Sequence, residues 1–216
     1  MRSIDYLVFF TGFVIVLVIF MAGFVLGWGY TKSLNERTVS EINELSSKIG
    51  LLQAISERNS EEFCSLFNYL FPRLEQTSWK LGERIEYLES QGRVDRDLKN
   101  LYFEYLYRDY LLLQIGIERC NYSTEYIIYF YYNNDTRPCD RCYEQGFEIS
   151  EARNRLRNEG IMLRVYSFDG LMEGLGEYLA RKNNITEYPT IIYRSKKYGY
   201  LTSDQLIRII KDELSG

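Results

Sequence analysis

Two cysteines separated by two residues, Cys139 and Cys142, carry the clearest potential for chemistry in this sequence. They lie between a strand-like run of tyrosine and isoleucine, residues 126–132, and a helix-like run, Cys142–Asn158. A C-x-x-C pair at a strand–helix junction is typical of a dithiol/disulfide redox site. In such a site, one thiolate attacks a disulfide of a substrate protein and the second thiol resolves the mixed disulfide.

Charged residues surround the motif and bear on its reactivity. The N-terminus of a helix carries a partial positive charge, which favours an anion such as the Cys139 thiolate. Arg137 and Arg141 add positive charge, and Asp140 opposes them. We expect the sum of these charges to favour the thiolate of Cys139 over the thiol.

Other roles for these cysteines can be weighed from the composition. The chain has no histidine, which excludes catalytic triads, Cys–His nucleophiles and histidine zinc sites. A zinc site would need four ligands, so Cys64 and Cys120 would have to join the C-x-x-C pair. We predict neither a metal site nor a cofactor. The main alternative to a redox enzyme is a non-catalytic binding module, in which the C-x-x-C disulfide is a permanent staple.

The overall charge does not favour a nucleic-acid partner. The chain has 216 residues and a formal net charge of -4, with acidic and basic residues interspersed. This distribution does not predict a nucleic-acid surface. We expect the partners to be protein thiols and disulfides.

The first 31 residues predict a membrane anchor. Residues 7–30 are almost wholly apolar, and roughly 20 apolar helical residues suffice to cross a bilayer. The run is longer than the core of a cleaved signal peptide, so an uncleaved signal-anchor is the preferred reading and cleavage the alternative. Arg2 on one side and Lys32 and Arg37 on the other nearly balance. A short N-terminal tail usually stays in the cytoplasm, so we predict a single-pass membrane protein with an extracytoplasmic C-terminal domain.

A stalk helix is predicted for residues 32–59. From Ile42 to Ile55 its apolar residues recur at helical spacing. This stripe could pair with a second copy as a short coiled coil and form a homo-oligomer. It could equally pack on the rest of the same chain.

Residues 60–120 predict a helical hairpin. An apolar helix ends before Pro72, a more polar helix covers residues 74–89, a turn covers 90–92, and a long helix covers 95–119. The hairpin would bring Cys64 and Cys120 together, so we predict a structural disulfide, which persists in an oxidising compartment. The alternative is two buried free thiols.

Residues 121–216 change to a pattern of strands alternating with helices. The predicted elements are strand 126–132, helix 139–158, strand 161–168, helix 171–183, strand 189–193, a turn at Ser195-Lys196-Lys197, strand 198–201 and helix 203–214. A crossover helix between two strands predicts a parallel pair, and a tight turn predicts an antiparallel pair. The fold class is therefore α/β, with a mixed sheet flanked by helices and preceded by the transmembrane helix and the hairpin.

This order, with C-x-x-C before the first helix and Tyr188-Pro189-Thr190 opening the third strand, resembles the thioredoxin fold. The whole layout resembles the membrane-anchored thioredoxin-like proteins of small-genome archaea. Those proteins carry C-x-x-C-x-x-Q-G and N-[IV]-T-x-[YF]-P-T runs, and the corresponding runs here are 139–146 and 184–190. The resemblance covers about residues 122–215, and it implies a membrane-anchored thiol-disulfide oxidoreductase.

The resemblance also implies roles for individual residues. Cys139 would be the attacking thiol and Cys142 the resolving thiol. Pro189 would be a cis proline that faces the disulfide, Tyr188 would offer backbone groups to a substrate chain, and Thr190 completes this loop.

Three features depart from thioredoxin itself. Pro138 stands where a tryptophan is usual, and the middle pair is Asp140-Arg141 in place of Gly-Pro. The strand before the motif has no acidic residue to accept the proton of the second thiol.

Overall fold

A single long helix joins the apolar N-terminal segment to the stalk. The computed structural model describes residues 6–57, 60–90, 96–133, 139 and 141–215. Helix α1 runs without interruption over Tyr6–Ser56. Its N-terminal part is exposed, with a mean hydropathy of 2.8, so α1 is long and apolar enough to cross a membrane. The sequence suggested an anchor and a separate stalk, but no proline lies in this range to end the helix between them.

Within the described residues, the chain forms six α-helices and one four-stranded sheet. After α1, the helices are α2 Ser60–Ser90, α3 Arg96–Cys120, α4 Cys142–Asn158, α5 Leu175–Lys182 and α6 Ser203–Ser215. The strands are β1 Glu125–Tyr131, β2 Leu163–Asp169, β3 Thr190–Tyr193 and β4 Lys196–Tyr198.

The sheet is mixed, as the sequence predicted. Its strand order is β2-β1-β3-β4. Strand β1 is parallel to β2, with Ile127 opposite Val165, because α4 crosses over between them. Strand β3 is antiparallel to β1, with Phe130 opposite Thr190, and β4 is antiparallel to β3.

Two predicted boundaries at this end of the chain were wrong. The turn between β3 and β4 is Arg194-Ser195, both with positive φ, which places Lys196 and Lys197 in β4. A two-residue hairpin turn of this kind matches the twist of its strands. The predicted strand 198–201 therefore ends at Tyr198. Helix α5 begins at Leu175 and not at residue 171, because Gly174 has a φ of 116° that no regular helix adopts.

Helix α2 continues through Pro72, where the sequence predicted a break. Proline removes one backbone hydrogen bond and costs about 3 kcal/mol inside a helix. Burial of the apolar stripe on both sides of the proline offsets this cost. The buried stripe consists of Phe63, Phe67, Phe71, Leu74, Leu81, Ile85 and Leu88.

The hydrophobic core lies on both faces of the sheet. On one face, α1, α2, α3 and α5 pack together with Phe130 and Phe168. On the other face, α4 and α6 cover Ile127 and Ile191. The stalk stripe is therefore buried inside its own chain, at Ile42, Leu45, Ile49 and Leu52. A homo-oligomer through α1 stays a prediction, and it would have to use another face of the helix.

A disulfide closes the end of the helical bundle that lies far from the apolar segment. Cys64 near the start of α2 is bonded to Cys120 at the end of α3, with a Cα–Cα distance of 5.3 Å. Beside it, Arg119 donates a 2.6 Å hydrogen bond to the carbonyl oxygen of Ser56 at the end of α1. Closing a loop of this length stabilises the fold by about 4 kcal/mol in the chain-entropy model.

Buried ion pairs join the helical bundle to the sheet. The ammonium of Lys99 on α3 lies 2.8 Å from the carboxylate of Asp169 at the end of β2, and it also pairs with Glu89 on α2. Further along α3, Asp109 pairs with Arg164 of β2. Breaking a buried pair leaves an uncompensated charge, so these pairs fix how α3 sits on the sheet.

We expect Lys99→Met to lower the free energy of unfolding by about 3–5 kcal/mol, because two carboxylates then lose their cation in a buried site. Lys48→Met is the matched control, since Lys48 forms an exposed i,i+4 pair with Glu44 and should lose less than about 0.5 kcal/mol. Urea unfolding of both variants measures the difference. Equal losses would show that the Lys99 cluster does not hold the two layers together.

Candidate functional site

Cys139 and Cys142 form a disulfide at the edge of the sheet where β1 ends. Their Cα atoms are 5.4 Å apart. Cys142 is the first residue of α4, and its amide donates a 3.3 Å hydrogen bond to the carbonyl oxygen of Cys139. Cys142 is 7% exposed and Cys139 is half-buried. An incoming thiolate therefore has better access to the sulfur of Cys139.

Two tyrosines of β1, Tyr129 and Tyr131, line the same groove as the disulfide. The Tyr129 hydroxyl donates a 2.7 Å hydrogen bond to the Cys142 carbonyl oxygen. The rings of Tyr129 and Tyr131 stack, with centroids 5.6 Å apart. Burial raises the pKa of both hydroxyls above its ordinary value, with repulsion from Glu86 adding at Tyr129 and from Glu89 at Tyr131. Both tyrosines stay neutral at neutral pH, so the Tyr129 hydroxyl keeps the proton that it donates to Cys142.

Gln145 fixes the first turn of α4. It is fully buried, and its side-chain amide bonds both backbone groups of Leu201, donating to the carbonyl at 3.0 Å and accepting from the amide at 2.7 Å. One turn on, Glu148 accepts a 2.6 Å hydrogen bond from the amide of Ser203. Sequence reasoning gave Gln145 no role, although a polar residue in register with Cys142 and Ile149 on the inner face of α4 is a usable signal.

The charged residues of the motif are only partly within the described chain. Arg141 is exposed, its guanidinium lies 3.8 Å from the ring centroid of Tyr200, and it lies 3.9 Å from the Glu144 carboxylate. These contacts hold Arg141 on the side of α4 that faces Tyr200. Arg137, Pro138 and Asp140 lie outside the described residues, and their predicted influence on Cys139 stays a prediction.

The loop before β3 lies against the end of β1. The Tyr188–Pro189 peptide bond is cis. The Tyr188 ring meets the Tyr132 ring edge-on, with centroids 5.3 Å apart. Thr190 pairs with Phe130 in the sheet, and its hydroxyl donates a 2.6 Å hydrogen bond to the carbonyl oxygen of Glu187. The fold therefore brings this loop to Tyr132, which lines the same groove as both cysteines.

That groove has a volume of about 680 Å³ and runs between α2, α4 and the sheet. We call it the α2–α4 groove. Its α2 wall carries four carboxylates, Glu75, Glu83, Glu86 and Glu89. Its α4 wall carries the disulfide and two exposed aromatic side chains, Tyr143 and Phe147, at 79% and 72% exposure. The groove can accommodate an extended segment of another chain beside the disulfide.

Glu86, on the α2 wall of the groove, has a raised pKa. Desolvation raises the pKa of Glu86 above its ordinary value, and repulsion from Glu89 and Glu83 adds to the shift. Burial is the larger cause of this shift, so the charge of the wall follows from its ion pairs. Glu89 pairs with Lys99, and Glu75 lies 3.7 Å from Arg153, so Glu83 and Glu86 carry most of the negative charge that the wall presents to the groove. Such a wall favours a ligand that carries positive charge.

The four cysteines form two separate disulfides, so they do not assemble a four-cysteine zinc site. Among the described residues, no group of three or more cysteine, aspartate or glutamate side chains gathers as a metal-ligand set.

Compared with protein-family models and with curated proteins, the sequence matches none of either at a significant level.

We expect Gln145→Leu to lower the free energy of unfolding by about 2–4 kcal/mol, because two backbone groups of Leu201 lose their partner in a buried site. Gln205→Leu is the control. Gln205 also bonds this loop, accepting from the amide of Thr202, but at an exposed position, so it should lose less than about 1 kcal/mol. Urea unfolding measures both, and equal losses would contradict the role given to Gln145.

We expect Glu86→Gln to raise the thermal unfolding midpoint at pH 7 and to leave it unchanged below about pH 4. The native pKa of Glu86 is raised, so its stabilising protonated form is lost as pH rises through that value. Glu44→Gln is a control of opposite sign, because Lys48 lowers the pKa of Glu44. Its midpoint should fall at pH 7. The same sign for both variants would contradict the electrostatic account.

Proposed function

We propose that this protein is a membrane-anchored thiol-disulfide oxidoreductase that exchanges protein disulfides through Cys139 and Cys142. The observation that carries the proposal is the accessibility of the pair. A half-buried Cys139 borders a groove, and Cys142 lies buried behind it at the start of α4. This arrangement suits an attacking and a resolving sulfur.

The topology supports a thioredoxin-like identity for the C-terminal part of the chain. The β-α-β-α-β-β-α order, the parallel β1–β2 pair and the antiparallel β3–β4 pair are those implied by the resemblance seen in the sequence. Helices α4 and α6 share one face of the sheet, and α5 lies on the other with α3. The disulfide lies between β1 and α4 in the chain, and a proline with a cis peptide bond precedes β3.

The exchange reaction conserves atoms and electrons. A substrate thiolate attacks the Cys139 sulfur, the Cys139–Cys142 bond breaks, and the Cys142 thiolate leaves and takes up a proton. The second thiolate of the substrate then attacks the first substrate sulfur, which is bonded to Cys139 in the mixed disulfide, and releases the Cys139 thiolate. Two electrons pass from the substrate to the cysteine pair, and the reverse sequence reduces a substrate disulfide.

The second cysteine pair supports placing the domain outside the cytoplasm. Helix α1 would anchor the protein by a single span, and the Cys64–Cys120 disulfide ties α2 to α3. Structural disulfides persist in oxidising compartments.

We expect Cys139→Ser to abolish both the reduction of insulin disulfides and the oxidation of a dithiol peptide by the full chain in lipid nanodiscs. The matched control is a Cys64→Ala/Cys120→Ala double variant, which loses the other disulfide and should retain the activity. Wild-type rates in Cys139→Ser would overturn the proposal.

A measured reduction potential provides a second test. A Cys139–Cys142 potential below about -300 mV describes a bond that resists the usual thiol pools. That result would favour a binding module in which the disulfide is a permanent staple.

A further inference from the structure

The continuous α1 helix fixes the position of the disulfide relative to the membrane. The apolar run of α1 ends near Tyr30, and Lys32 is the first charged residue beyond it. The same helix continues to Ser56 and packs in the core through Ile42 and Leu45. A helix rises about 1.5 Å per residue. The distance of any residue of α1 from the end of the apolar run, measured along the helix axis, therefore follows from its residue number.

Helix α2 gives the first estimate of height. It runs antiparallel to α1, because Cys64 lies beside the end of α1 and Arg84 reaches back to Glu41. Glu89 is just over one turn beyond Arg84, about 8 Å closer to the membrane. This places Glu89 level with Glu36 of α1, about 9 Å beyond Tyr30.

Helix α3 gives an independent estimate. Arg119 is bonded to the carbonyl oxygen of Ser56. Lys99 lies about 30 Å back along α3, which again corresponds to the level of Glu36. The two estimates agree, and Lys99 indeed pairs with Glu89.

The ends of the parallel strands lie at this same level. Lys99 lies 2.8 Å from Asp169 at the end of β2 and 5.3 Å from the ring centroid of Tyr131 at the end of β1. Both strands therefore point their C-terminal ends toward the membrane. Cys139 and Cys142 follow that end of β1. The start of β2 lies on the far side, where Arg164 pairs with Asp109 further along α3.

The surface beside the disulfide has a chemistry that suits a partner at the bilayer surface. Tyr143 and Phe147 are exposed aromatic side chains beside the cysteine pair, and aromatic rings are favoured at membrane interfaces. The opposite wall of the α2–α4 groove presents the carboxylates of Glu83 and Glu86, while Glu89 is already paired with Lys99. It would repel anionic lipid headgroups and attract a peptide segment that carries lysine or arginine.

We infer that the exchange partner of Cys139–Cys142 is a cysteine pair on a membrane-anchored protein, held close to the bilayer surface on a basic segment. This inference rests on the proposed function and names its partner. The reaction is thiol-disulfide exchange at Cys139–Cys142, and the partner supplies or accepts the two electrons. A substrate far from the membrane would meet the opposite end of the domain, where the bundle is closed by Cys64–Cys120.

The test uses the full chain in vesicles with defined single-span peptides. Each peptide carries a lysine-flanked cystine disulfide on a rigid helical spacer, at about 9 Å or about 40 Å from the bilayer surface. We expect the near peptide to oxidise the reduced Cys139–Cys142 pair at least about tenfold faster than the far one, because its effective concentration at the site is higher. A glutamate-flanked near peptide should react more slowly than the lysine-flanked one. Equal rates for near and far peptides would overturn the inference.

A control with a soluble peptide separates this inference from the proposed function. A soluble disulfide peptide should react with wild type and not with Cys139→Ser. If it does, and the near and far peptides react alike, the membrane-side partner is wrong while the oxidoreductase stands. If no peptide reacts, both are wrong.

A second measurement tests the distance of the disulfide end of α4 from the bilayer surface, without any reaction. In a Trp28→Phe/Trp79→Phe background, which removes both native tryptophans, one tryptophan replaces either Tyr143 or Tyr69, both exposed tyrosines on helices. Tyr69 lies about 22 Å further from the membrane than Arg84. Headgroup spin-labelled lipids should quench Tyr143→Trp and leave Tyr69→Trp unquenched. Equal or reversed quenching would overturn the inference.

Discussion

The packing of α3 between the other helices and the sheet is the constraint on which the structure depends. On one side α3 packs with the C-terminal half of α1 and the buried stripe of α2. On the other side it covers Phe130 and Phe168 of the sheet. Two buried ion pairs, Lys99 with Asp169 and Asp109 with Arg164, set its position along the strands. Because buried charges are costly when unpaired, α3 cannot slide relative to the sheet without losing both pairs.

This constraint ties the apolar N-terminal segment, through α1, to the sheet. The apolar segment and the stalk are one helix, and the stalk stripe is part of the same core as the sheet. The disulfide between α2 and α3 and the bond from Arg119 to α1 close the far end of the bundle. The edge of the sheet that carries Cys139 and Cys142 therefore has a fixed direction relative to the apolar segment.

The cysteine pair itself is held by neutral hydrogen bonds. Tyr129 bonds the carbonyl of Cys142, and Gln145 ties the first turn of α4 to Leu201. Arg141 and Glu144 lie beside the pair at the start of α4, and further carboxylates line the opposite wall of the groove, on α2. The hydrogen bonds that hold the disulfide and the carboxylates of the α2 wall therefore belong to different elements.

The sequence by itself determined the secondary-structure types, the mixed sheet and the two cysteine pairs, because hydrophobic period, crossover spacing and cysteine spacing are local signals. It predicted a break at Pro72 that does not occur, because the burial that stabilises α2 depends on helices distant in the sequence. It misplaced the β3–β4 turn, because arginine and serine rarely adopt the positive φ of Arg194 and Ser195. The α2–α4 groove, the Gln145 bonds and the position of the disulfide relative to the apolar segment of α1 were decided by tertiary structure alone. They depend on residues far apart in the chain, which meet only when α3 packs on the sheet and brings α2 beside α4.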